Sequence, residues 1–178
     1  MLVDFNLIAT SDRGFESEAC SELWMLLRAK GDRTPIVDRS SVRGLILART
    51  SLSPTEMVIL LREELRSNPD SFRVLLRVLP VEVVVPTDSK TIADTACAMA
   101  SKIGANESFR ITVEKRRTEL RRKEIIDAIA IGIERKVDLE HYNWNVLIEI
   151  IGRWTGISVV RPEAVLNVQK ERAKLLTD

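Results

Sequence analysis

The chain has 178 residues, of which 45% are hydrophobic and 30% charged, enough to bury a sizeable core in one domain or two small ones. A formal net charge of +1 excludes a uniformly basic surface, so any nucleic-acid site must be a local patch. No apolar run approaches a bilayer span, and Met1-Leu2-Val3-Asp4 lacks the basic and apolar stretches of a signal peptide, so the expected setting is cytoplasmic, with no membrane partner. Cys20 and Cys97 are far apart with no C-x-x-C spacing, and His141 is the single histidine. That excludes a metal centre built on clustered cysteines or imidazoles; two reduced core thiols are expected, a disulfide between them being the alternative.

Asp4 to Thr10 has the composition of a short strand, broken by Ser11-Asp12-Arg13-Gly14. Phe15, Ala19, Leu23, Leu26 and Leu27 recur at helical spacing and predict an amphipathic helix ending at Gly31. Extended pieces follow around Pro35 to Val37 and Val42 to Arg49. Ser53-Pro54-Thr55-Glu56 is a capping box with proline at the first helical position, opening a helix to about Ser67 with Met57, Leu60, Leu61 and Leu65 as its buried stripe. Arg73 to Val85 is Val- and Leu-rich but holds Pro80, which predicts an edge strand or two short strands meeting at a kink. This order suits a ferredoxin-like layer over residues 1–86.

Pro86-Thr87-Asp88 is the expected boundary, with Thr87 or Asp88 capping a helix marked by Ile92, Ala96, Met99 and Ile103 and ended by Gly104. A strand over Phe109 to Lys115, a helix from about Arg121 to Glu134, and strands over Asn145 to Ile151 and Gly156 to Arg161 follow. Gly152-Arg153-Trp154-Thr155 separates the last two, predicting a tight connection for which Gly152 and Gly156 supply positive φ. Gln169 to Asp178 reads as a further helix or a frayed end.

The segment Ser108 to Lys123 gathers seven basic residues against two acidic ones. It lies where a strand ends and a helix begins, and a helix start offers unpaired N–H groups and partial positive charge to an anion. Basic residues there oppose the helix dipole, so phosphate is the natural ligand, a solvated basic face being the plainer reading. Chemistry for catalysis is missing: there is no P-loop, no Gly-x-Gly-x-x-Gly and no Gly-x-Ser-x-Gly, while Asp127 and Glu149 read as isolated carboxylates facing solvent or pairing with an arginine. A non-catalytic protein without cofactor is expected.

Several linked pieces carry a family resemblance: Arg77-Val78-Leu79-Pro80-Val81-Glu82, Phe109-Arg110-Ile111-Thr112-Val113-Glu114-Lys115-Arg116, Arg122-Lys123-Glu124-Ile125-Ile126, Lys136-Val137-Asp138-Leu139, Val146-Leu147-Ile148-Glu149-Ile150-Ile151-Gly152 and Gly156-Ile157-Ser158-Val159-Val160. In this order the chain resembles THUMP-domain proteins of the tRNA acetyltransferase adaptor family. The resemblance implies an α+β chain: a ferredoxin-like domain (1–86), a THUMP domain of helix-strand-helix-strand-strand (87–170) and a tail (171–178). It implies a tRNA-binding adaptor that presents tRNA to the acetyltransferase forming N4-acetylcytidine. Fused members carry a catalytic module; the chain stops about ten residues past Val168, so the stand-alone adaptor is expected.

On that frame Lys115, Arg116, Arg117, Arg121, Arg122 and Lys123 converge on phosphates, to which arginine's fork is suited. Arg153 and Trp154 sit in the turn, where the indole stacks on an unpaired base or folds back over the sheet edge. Arg161 joins the patch or faces water. Trp24 and Trp144 belong to the core or its rim. The alternatives are a scaffold whose ferredoxin-like half binds a protein or small ligand, and the RNA-binding subunit of a split modifying enzyme; the oligomeric state is left open.

Overall fold

A computed structural model describes residues 1–177. The fold is α+β, with two five-stranded sheets and five α-helices among the described residues, divided into two units. The first begins with β1 (Leu7–Ser11), α1 (Glu16–Ala29), β2 (Ile36–Arg39), β3 (Leu45–Arg49), α2 (Pro54–Ser67) and β4 (Leu75–Pro80). Strands lie antiparallel in the order β4-β1-β3-β2, the ferredoxin-like arrangement. Period-two alternation puts Leu7 and Ala9 of β1 and Ile46 and Ala48 of β3 on the face that meets Leu23 and Leu27 of α1 and Met57 and Leu61 of α2.

The helix ends follow from local chemistry. Ser53 Oγ accepts from Glu56 N at 3.4 Å, with Pro54 opening α2. Gly31, at φ +97°, supplies the left-handed turn after α1. The next residue, Asp32, is 1% exposed and accepts from Thr34 N (3.0 Å), Ser51 N (3.1 Å) and Ser51 Oγ (2.6 Å). Its carboxylate thereby joins the α1–β2 and β3–α2 connections.

The second unit, Glu82–Pro162, contains β5 (Val83–Pro86), α3 (Ser89–Met99), β6 (Ser108–Arg116), α4 (Arg122–Ile131), β7 (Lys136–Val137), β8 (Trp144–Ile151) and β9 (Trp154–Val160). Its sheet runs β5-β9-β8-β6-β7, with β6 parallel to both neighbours and the other pairs antiparallel. Phe109 and Val113 of β6, Val146, Ile148 and Ile150 of β8, and Ile157 and Val159 of β9 face Ile92 and Ala96 of α3 and Ile125 and Ile129 of α4. The two helices run side by side: Cys97 Sγ reaches Ile129 O at 3.5 Å.

Three expectations change. The apolar run around Pro80 is two short strands, as one of the two readings had it, but they lie in different sheets: Val81 N bonds Asn6 O (2.8 Å), whereas Glu82 N bonds Ile157 O (3.1 Å). The units therefore divide at 81/82, not 86/87. β4 is also no edge, because β10 (Leu166–Asn167) pairs along its outer side. Residues from Glu163 onward, expected in the THUMP domain and a tail, return to the first unit. There α5 (Val168–Leu175) is held by Arg172 Nη2 on Pro69 O (2.8 Å) and Phe72 O (2.5 Å), and by Arg62 on Glu171 at 2.8 Å. Asp178 lies outside the described residues. Both cysteines are free and half-buried, with burial pushing each thiol's pKa up. Among the described residues no helix is long and apolar enough to cross a membrane.

Candidate nucleic-acid interface

The basic segment is built at the end of the second sheet where β6 and β8 finish together. Their parallel register pairs Arg116 with Ile151, and Gly152 N donates to Arg116 O at 2.9 Å. β8 then turns into β9 through Gly152 and Arg153. Gly152 has φ +60°, as a two-residue hairpin with glycine first requires; Gly156 lies within β9 and supplies no such angle. The far side of the turn is fastened by Thr87 N on Arg153 O at 2.9 Å, just before α3.

Arg117 leaves β6 at φ +55°, among the described residues the one non-glycine in the left-handed region. The loop from there to α4 closes on itself, with Lys115 Nζ donating to Leu120 O (2.8 Å) and Leu120 N to Thr118 Oγ1 (3.2 Å). Asp88 caps α3, accepting from Thr91 N at 2.8 Å. The N-cap of α4 is Arg121, whose side chain makes no capping bond. One helix start is thus satisfied by an acid of its own, and the other opens among cations.

Residues 86–160 match the family model described as "THUMP domain". The chain carries a THUMP domain. The whole fold resembles solved structures at low identity: the PH1313 protein of Pyrococcus horikoshii Ot3 (20% identity, TM-score 0.64, covering 88% of this chain and 55% of that one); TrmN of Thermus thermophilus (16%, 0.59, 88% and 46%); and a 4-thiouridine synthetase in complex with RNA and bound ATP (15%, 0.50, 89% and 42%). The chain spans about half the length of these structures. A comparison with curated protein sequences finds no match.

The nine expected residues do not share one environment. Arg117 and Arg153 are exposed, and among the described residues their side chains make no hydrogen bond or ion pair. Arg121, Arg122 and Lys123 are also exposed, with carboxylates nearby: Glu124 at 3.7 Å, Glu114 at 3.9 Å and Asp127 at 2.6 Å. Surface pairs of this kind are weak and screened by salt, so a phosphate competes with them easily. Lys115 is exposed along its stem although its ammonium closes the loop. Lys90, in the first turn of α3 and 2.6 Å from Asp94, is an exposed cation that sequence reasoning misses, since nothing local shows that α3 starts beside the β8–β9 turn.

Arg116 is placed differently. On β6 it alternates with Val113 and Lys115 and lies on the face away from the helices, where its Nη1 is 2.7 Å from Glu149 Oε2. Glu149 is 1% exposed, on β8. Trp154, half-buried, opens β9 on that same face. Arg161 does not join the cluster at all: it follows β9 at the other end of the strand, about 23 Å from Trp154 at roughly 3.3 Å per residue. There its guanidinium stacks 4.0 Å from the centre of the Trp144 ring and bonds Glu107 at 2.7 Å.

That far end behaves as a structural clasp. Trp144 Nε1 donates to Glu107 Oε2 at 2.6 Å, Gly104 N donates at 2.8 Å, and Arg161 completes the set, together holding the Glu107 pKa down at about 2. A carboxyl depressed on folding stabilises the native state above its unfolded pKa near 4.5, and that contribution is lost as pH falls through about 2. Urea unfolding of the protein at a series of acid pH values should therefore show a loss of stability between pH 4.5 and about 2 that Glu107→Gln flattens; parallel curves for the two proteins would contradict it.

Proposed function

We propose that this protein is a non-catalytic tRNA-binding adaptor that presents tRNA to an acetyltransferase forming N4-acetylcytidine. The observation that supports the reading is the end of the THUMP sheet, where exposed Arg117 and Arg153 each follow one of two paired strands and the uncapped start of α4, with exposed Arg121, Arg122 and Lys123, comes four residues after Arg117. Spacing along a loop and a hairpin suits successive phosphates rather than a single anion. The presence of RNA in a structural neighbour supports the choice of ligand, and Trp154 beside Arg153 offers a stacking surface for a base.

The test is tRNA binding measured against salt. Replacing Arg117, Arg121, Arg122 and Arg153 by glutamine should weaken binding and flatten the slope of log K against log salt by about 0.7 to 0.9 for each phosphate no longer neutralised. An unchanged slope refutes the reading. The identity of the partner is checked separately, by N4-acetylcytidine formation in tRNA with the acetyltransferase alone and with this protein added.

A further inference from the structure

The outer face of the first unit carries a preformed groove of opposite character. Along α1, Ser17, Ser21 and Ala29 recur at helical spacing and are too small to fill the space between the helix and the connection after α2. The result is a trough of about 710 Å³ with Met25 and Val74 exposing apolar surface along it and buried Leu26 at its floor. Met25 is 65% exposed. From Ser17 to Ala29 the helical wall is about 18 Å long.

The trough is rigid and acidic. Glu22 accepts from Arg73 N (3.0 Å), Val74 N (3.0 Å) and Leu75 N (3.1 Å), fixing the opposite wall. Glu18 and Asp70 are exposed on its rim with no ion pair among the described residues. Glu64, also on the rim, is paired with Lys30 at 2.5 Å. Arg73 is the one cation among the residues that line the trough. Asp70 and Arg73 also border a second cavity of about 680 Å³ against Phe72, Leu175, Leu176 and Arg172, the last with its guanidinium taken up by the Pro69 and Phe72 carbonyls, and Leu176 is 85% exposed. The apolar surface thus continues past the rim.

We propose that this groove docks a basic amphipathic segment of a protein partner, large apolar side chains lying on Met25 and Val74 and flanking lysines or arginines meeting Glu18, Glu22 and Asp70. Charge selects the class of occupant: the rim repels a polyanion, so RNA is excluded, and a cationic segment is matched. A carboxylate-locked wall lowers the ordering cost of binding. The inference rests on the adaptor reading for the partner's role, since a protein that holds RNA at a cationic surface needs a separate surface for the protein it serves.

The probe is a synthetic 12-residue helical peptide of leucine and lysine, with the same peptide carrying glutamate for lysine as control. Wild-type protein should bind the lysine peptide, with shifts in the backbone resonances of Ser17 to Ala29 and Asp70 to Val74, and should not bind the glutamate peptide. Glu18→Lys with Asp70→Lys should weaken the lysine peptide at least tenfold while leaving tRNA affinity within twofold of wild type. Equal peptide affinity in the two proteins, or shifts confined to other segments, overturns the docking site; so does a loss of tRNA affinity in the groove variant. Peptide binding at the groove by a protein that fails to bind tRNA would leave the docking site standing and reject the adaptor reading.

Discussion

Arg116→Ala should destabilise the second unit by about 3 kcal/mol, the low end of the 3 to 5 kcal/mol typical when one member of a buried ion pair is removed. The low end applies because the arginine side chain keeps 22% of its exposure while the Glu149 side chain keeps 2%. Glu149 lies on β8, on the face away from the helices and directly across from Glu114 of β6, so the substitution takes the guanidinium at 2.7 Å away from a buried carboxylate that has another acid as its cross-strand neighbour. Adding Glu149→Gln to the variant should restore part of the loss, because a neutral amide needs no counter-charge. Amide exchange of β6 and β8 measures it within the unit, avoiding a single melting temperature for a chain of two units. Equal protection in Arg116→Ala and wild type would show that the pair contributes nothing.

The placement of Arg116 also shows what a sequence exposes and what it conceals. The composition of Ser108 to Lys123 marks the cluster, and the helix boundaries need little more than local chemistry: the box at Ser53 opens α2 at Pro54, and Asp88 opens α3. Alternation along β6 puts Arg116 on the opposite face from Val113, and a lone glutamate inside the apolar run Val146 to Ile151 asks for a cation. Joining those two signals needs the parallel register of β6 on β8, a long-range pairing that no local pattern carries. The same reason hides the return of residues 163–177 to the first sheet, since β10 is two residues long and its partner lies almost ninety positions earlier. Pro80 marks a break correctly, but an apolar run looks the same whether its halves join one sheet or two. Arg161 is misplaced for a simpler reason: nearness in sequence to Trp154 becomes distance once β9 is extended.

Reversing two charges, Arg117→Glu with Arg153→Glu, should lower tRNA affinity on the order of 100-fold at about 50 mM salt and by much less at higher salt, because two attractive, counterion-releasing interactions become repulsive. These two side chains are chosen because both are exposed and, among the described residues, neither has an ion pair to break, so stability should be nearly unaffected. Arg117→Gly separates charge from backbone. Its φ of +55° is costly for a side-chain-bearing residue and free for glycine, so this variant should gain up to about 1 kcal/mol of stability while binding tRNA more weakly. Stability and affinity moving in opposite directions at one residue is the behaviour of a position held for its ligand. If Arg117→Gly binds tRNA as tightly as wild type, the left-handed arginine is a feature of the turn and the phosphate-binding surface has to be sought elsewhere on the domain.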